Sequence, residues 1–135
     1  MTDPYSLRFT ESSRLFESLI KQPYVLQYMG MLRDIPHPDT FESSQRVSKL
    51  VIDLGFANAI ESQKLRILGL AGLFHDIGKT RTPLKILMKD GPLSDEEWVD
   101  IKKHPRDGFD MFKGFKDSPL HILYETARVL VAHHE

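Results

Sequence analysis

The side chains able to do chemistry gather at three places in this chain. His75 and Asp76 are adjacent and lead into Gly78 and Lys79, His104 follows further along, and His133 and His134 stand just before Glu135. Imidazole with carboxylate suits Mn, Fe, Ni or Zn, and a lysine shortly after such a pair can meet an anion held by the metal. An isolated His-Asp pair reads more simply as the end of a helix, with Gly78 taking the positive φ of a C-terminal turn. The three downstream histidines favour the metal reading, because a purely structural domain has no physical need for so many inward imidazoles.

These groups need elements to bring them together, and the spacing of apolar residues predicts helices throughout. Thr10 and Glu11 open a helical pattern in which Leu15, Phe16, Leu19 and Ile20 share a face, and Pro23 restarts it with Val25, Tyr28, Met29 and Leu32. Ile35-Pro36-His37-Pro38 breaks the helix. Asp39, with Glu42 three residues later, reads as the cap of the next, which buries Val47, Leu50, Val51 and Leu54 and stops at Gly55. From about Ser62, a helix carries Leu65, Leu68, Leu70, Ala71, Leu73 and Phe74 over so wide an arc that it belongs in the centre of the core. Its end delivers His75 and Asp76 into the interior. Thr82-Pro83 opens a short segment from Leu84 to Met88, Asp90-Gly91-Pro92 turns, and Ser94 with Glu97 forms a capping box. Pro105 places His104 at a helix break. The last helix begins near Ser118-Pro119 and buries Leu123, Ala127 and Leu130. His133 and His134 end that buried arc, and His121 lies on the polar side with Glu125 and Arg128. No alternating pattern is long enough for a strand. The class is all-α.

Composition sets the outer bounds. A chain of 135 residues is one domain that buries roughly two thirds of its unfolded surface. Its 41% hydrophobic and 27% charged residues are those of a soluble globular protein. A net charge of −1 provides no basic field for a nucleic acid polymer or a membrane surface. The absence of cysteine excludes disulfides, thiolate zinc sites and thiol nucleophiles and fits the cytoplasm. Neither a signal peptide nor an apolar run of about 20 residues is present.

Taken together, His75-Asp76-Ile77-Gly78-Lys79, the stretch Asp90-Gly91-Pro92-Leu93-Ser94-Asp95-Glu96-Glu97-Trp98, His104-Pro105 with Gly108, and His133-His134-Glu135 resemble the HD superfamily of metal-dependent phosphohydrolases. Within it they resemble the HD-GYP branch. The resemblance runs over residues 38–135 and implies an HD-domain bundle of about five to seven helices, preceded by an N-terminal helical segment over residues 1–37. It implies a bacterial signalling phosphodiesterase that hydrolyses cyclic di-GMP with two or three divalent transition metals, iron or manganese. Asp76 would bridge two metals, His75 would bind one, and His104, His133 and His134 its neighbour, with Lys79 on the substrate phosphate. Asp39 falls where some members place a further acidic ligand. Two departures stand out. Ser43, in Ser43-Ser44-Gln45-Arg46-Val47, occupies the place of a metal-binding histidine in the family pattern His-x-x-Arg-Val, and the sequence ends before the Gly-Tyr-Pro segment. A phosphodiesterase with impaired turnover is therefore expected. The alternatives are a catalytically degenerate signalling or binding module and an N-terminal piece of a longer enzyme. A homo-oligomer or a signalling partner is compatible with either.

Overall fold

The computed structural model describes the backbone of residues 4–37 and 39–132, with side chains from residue 11 onward. His133, His134 and Glu135 lie outside the described residues. The order is α1 (Pro4–Ile20), α2 (Pro23–Arg33), α3 (Thr40–Ala57), α4 (Ser62–Phe74), a 3-10 turn (Ile77–Arg81), α5 (Leu84–Leu87), α6 (Asp95–Ile101), α7 (His104–Phe112), a second 3-10 turn (Lys113–Phe115) and α8 (His121–Ala132). Among the described residues there is no strand, and seven of the α-helices have seven residues or more. The all-α expectation holds.

The central helix is the one its apolar arc predicts. Leu65, Leu70, Leu73 and Phe74 of α4 are buried, and Phe74 packs in an aromatic cluster with Phe112 of α7 and Tyr28 of α2 at centroid distances of 5.5 and 6.2 Å. Phe74 and Phe112 are both fully buried, so truncating either costs about 3–5 kcal/mol. This cluster fixes the last turn of α4, which leads into His75, and one flank of α7, whose first residue is His104.

Helix α3 departs from its expected face. Leu50 and Leu54 are 58% and 54% exposed, whereas Ser44, Ser48, Ile52 and Gly55 are buried. The reason is close packing on α4. A Cβ on Gly72 would lie 3.2 Å from the Ser48 Cα, and one on Gly69 would lie 2.8 Å from the Ile52 side chain, so small residues let the two backbones approach. The Ser48 hydroxyl donates to the Gly69 carbonyl at 2.7 Å and seals this contact. The helix also runs to Ala57, two residues past Gly55.

The termini and caps follow the sequence in part. Helix α1 starts at Pro4 rather than at Thr10, since proline suits the first helical turn, where its missing N–H is no loss. Pro23 opens α2 and Ser94 with Glu97 closes a full capping box on α6. Asp39 occupies the cap position of α3 but in a left-handed conformation, φ 66°, and its side chain makes no capping hydrogen bond. No helix among the described residues is long and apolar enough to cross a membrane.

Candidate metal centre

The last turn of α4 ends at Phe74, and His75 and Asp76 bridge to the 3-10 turn at Ile77. The turn brings Lys79 back over Asp76: its backbone N–H donates to the Asp76 carbonyl at 3.0 Å, and its Nζ lies 3.3 Å from Asp76 Oδ1. His104 reaches the same carboxylate from the first residue of α7, with Nε2 3.4 Å from Oδ1. His75 Nε2 lies 3.2 Å from Oδ2. Thus the two imidazoles address different oxygens of one carboxylate. The Asp76 and His104 side chains are only 14% and 15% exposed.

Both rings are fixed from behind. His75 Nδ1 donates to the Gly72 carbonyl and His104 Nδ1 to the Ile101 carbonyl, each at 2.7 Å. A histidine that ligates a metal through one nitrogen is commonly oriented by such a bond at the other. With Nδ1–H donating to a carbonyl, the neutral ring directs the Nε2 lone pair at an anionic oxygen. That arrangement needs a cation between the two atoms, either a proton or a metal. Donors about 2.1 Å from one ion at tetrahedral or octahedral angles are separated by roughly 3.0–3.4 Å, which matches both nitrogen–oxygen distances. Among the described residues no three such side chains already close on a single point. The donor chemistry fits a divalent cation all the same, with two nitrogens and a carboxylate able to face two ions.

The electrostatics agree. Burial by itself pushes the Asp76 carboxyl up, but the hydrogen bond from His75 and the charges of His75, Lys79 and His104 outweigh it and hold the group down at about 2. The His75 imidazole is raised above its usual value, first by its hydrogen bond to Asp76, against the opposing effect of burial.

Gly78 does not take the positive φ of a C-terminal turn; among the described residues Gly91 is the glycine that does. Its role is close approach. A Cβ at Gly78 would meet the His104 carbonyl oxygen at 1.8 Å and the Gly108 nitrogen at 2.8 Å. The absence of a side chain there lets the Asp76-bearing turn and the His104-bearing helix touch, backbone to backbone. Sequence reading overlooked this pairing, although Gly108, one helical turn after His104, was the available signal.

The other candidates resolve as follows. His121 is exposed and pairs with Glu125 at 3.1 Å, away from the centre, as expected. His37 contacts Thr40 Oγ1 at 3.1 Å beside the start of α3. Ser43 is half-buried on α3, and the buried hydroxyl of its neighbour Ser44 has no hydrogen-bond partner.

Comparison with known proteins identifies the type of domain. The family model for the HD domain matches residues 29–135. A 3'3'-cGAMP-specific phosphodiesterase of Vibrio cholerae is 35% identical over 83 residues, 62% of this chain and 19% of that protein. A cyclic di-GMP phosphodiesterase of Pseudomonas aeruginosa is 41% identical over 69 residues, 51% of this chain and 17% of its own length. Another, of Thermotoga maritima, is 30% identical over 115 residues, 82% of this chain and 29% of its own. The chain therefore spans less than a third of the length of these curated relatives. No solved structure gives a significant match.

Proposed function

The chain belongs to the HD-domain family of metal-dependent phosphohydrolases, and on that premise we propose that it is an HD-GYP-type domain acting on the phosphodiester of a cyclic dinucleotide, cyclic di-GMP. The observation that carries the reading is the meeting of His75, His104 and Lys79 on Asp76, with both imidazoles held from behind by carbonyls. A bound divalent cation, iron or manganese, would supply a water acidified toward neutrality and positive charge at the phosphoryl oxygens. By the resemblance, Asp76 and His75 would hold one such ion, and Asp76 with His104, His133 and His134 would hold its neighbour. Lys79 brings an ammonium to the negative charge that grows on the phosphate as the water oxygen bonds to phosphorus and the ester oxygen leaves. The product is the linear dinucleotide, or GMP after a second cleavage. The relatives' activities support a small phosphate ester as the ligand, and the reading is of a bacterial signalling domain in the cytoplasm.

Ser43 supports a second reading, in which the domain binds the nucleotide without turning it over. A serine hydroxyl is a poor ligand for a divalent transition metal, so one ion is weakly held. Chromatography of cyclic di-GMP incubated with the chain and Mn²⁺ or Fe²⁺ separates the two. Slow, chelator-sensitive formation of linear dinucleotide that disappears in Asp76→Asn supports the phosphodiesterase. Binding without any cleavage supports the second reading, and cleavage that survives Asp76→Asn contradicts both assignments of the centre.

A further inference from the structure

The geometry points to the cavity between the C-terminal end of α2, the Ile77–Arg81 turn and α5 as the seat of one purine base of the cyclic dinucleotide, with Asp34 selecting guanine. The inference rests on the proposed action on a cyclic dinucleotide and adds where the base lies and what reads it. The cavity holds about 320 Å³ and is bordered by Asp34, Pro36, Lys79, Thr82, Leu84 and Leu87, among others. That volume falls at the lower end of the roughly 300–1,000 Å³ of small-molecule sites.

Three features give it a direction. Lys79 belongs both to the cavity wall and to the Asp76 cluster, where its ammonium lies 3.3 Å from Oδ1, so a phosphate meeting Lys79 has its sugar and base at the cavity mouth. Pro36, Leu84 and Leu87 provide apolar walls for a flat ring, and Leu84 is otherwise an exposed leucine with its side chain largely in water. Thr82 is 8% exposed, and its hydroxyl has no hydrogen-bond partner. That oxygen is enclosed, so a ligand group bonds to it only after a rotation about χ1, which would relieve the desolvation cost of a buried hydroxyl without a partner.

Asp34 supplies the base selection. It is exposed at the C-cap of α2, where its backbone N–H, not its side chain, closes the helix on Gly30. Guanine presents N1–H and the N2 amino group side by side, and a carboxylate accepts both as a parallel pair of charge-assisted bonds. Adenine presents one amino group beside a bare ring nitrogen, so a carboxylate there meets one donor and one lone pair. Sites that hydrogen-bond a particular edge discriminate against the base lacking it more sharply than apolar fit can. The cavity that His75 itself lines, about 350 Å³ and walled by Val47, Val51, Leu68 and Val129, has no comparable carboxylate.

Titration calorimetry of the full chain with Mn²⁺ and either cyclic di-GMP or cyclic di-AMP tests this. Wild type is expected to prefer cyclic di-GMP. Asp34→Asn, the same size and at a position where the side chain caps nothing, is expected to cut that preference about tenfold or more by weakening cyclic di-GMP. Lys79→Met is expected to weaken both ligands alike. An unchanged preference in Asp34→Asn, or no preference in wild type, overturns the base site while leaving action on a cyclic dinucleotide intact. Failure of wild type to bind either ligand overturns that reading and the base site with it.

Discussion

Adding one methyl group at Gly78 drives a carbon into the backbone of α7. The new Cβ would lie 1.8 Å from the His104 carbonyl oxygen, 2.7 Å from its carbonyl carbon and 2.8 Å from the Gly108 nitrogen. An ordinary carbon–oxygen approach is about 3.3 Å, so the turn and the helix must part by roughly 1.5 Å. None of the three atoms belongs to a side chain that can swing aside. Overpacking costs about 1–3 kcal/mol where side chains give, and a backbone clash lies at the upper end, about 3 kcal/mol. For a domain of this size that lowers Tm by about 10 °C. The parting also pulls His104 from Asp76 and weakens metal uptake. Gly108→Ala is the matched control, because its Cβ would meet Leu130, Ile77 and Gly78 at 3.5, 3.6 and 3.8 Å, all ordinary contacts. It removes a glycine from the interior of α7 and is expected to be neutral or to stabilise by about 0.5–1 kcal/mol. Urea or thermal denaturation of the two variants reads the difference. A Gly78→Ala protein as stable as wild type, or a Gly108→Ala protein equally damaged, would refute the reasoning.

Lys79→Met is expected to weaken cyclic di-GMP binding about tenfold or more while leaving metal content unchanged, checked by calorimetry beside elemental analysis. In metal-stripped protein, Asp76 depressed to about 2 from 3.8 adds about 2 kcal/mol of stability, fully present above pH 3.8 and lost as pH falls through about 2. The stability difference between wild type and Asp76→Asn should therefore shrink over that window in acid denaturation. The raised His75 acts in the other direction: its contribution is complete below pH 6.5 and fades as pH rises through its folded value, which His75→Gln should abolish. Ser94→Ala removes the hydroxyl that accepts from the Glu97 N–H and is expected to cost about 1 kcal/mol in urea denaturation.

How far the sequence reveals this molecule depends on which physical term decides each element. Helix α4 is legible because its apolar residues occupy most of its circumference, and only a central position satisfies that. The α6 cap is legible because both halves of the Ser94–Glu97 exchange are local. The face of α3 is not, because Ser44, Ser48 and Gly55 are buried for their small size, which hydrophobic spacing does not register. Places at helix ends and breaks predict that His75, Asp76 and His104 converge with His133 and His134; the structure brings the first three together, with Lys79 beside them, and the two terminal histidines lie outside the described residues. What permits it, the contact of Gly78 with the backbone of α7, is a long-range packing fact with no local signature. Asp39 shows the opposite case: its residue type suits a cap, yet its left-handed backbone leaves the side chain without the capping bond.

The central claim is that His75, Asp76 and His104 form a metal centre, and the most direct test is metal content per chain. Protein incubated with Fe²⁺ or Mn²⁺, freed of loose ions by gel filtration and subjected to elemental analysis, is expected to retain about one transition metal ion per molecule and not two. On the proposed reading, Ser43 stands where the family pattern has a histidine and would leave the second ion weakly held. His104→Ala should lose that ion, since removing one of about four ligands costs several kcal/mol of binding, and His121→Ala should keep it. Equal metal in the two variants, or none in wild type, would contradict the account.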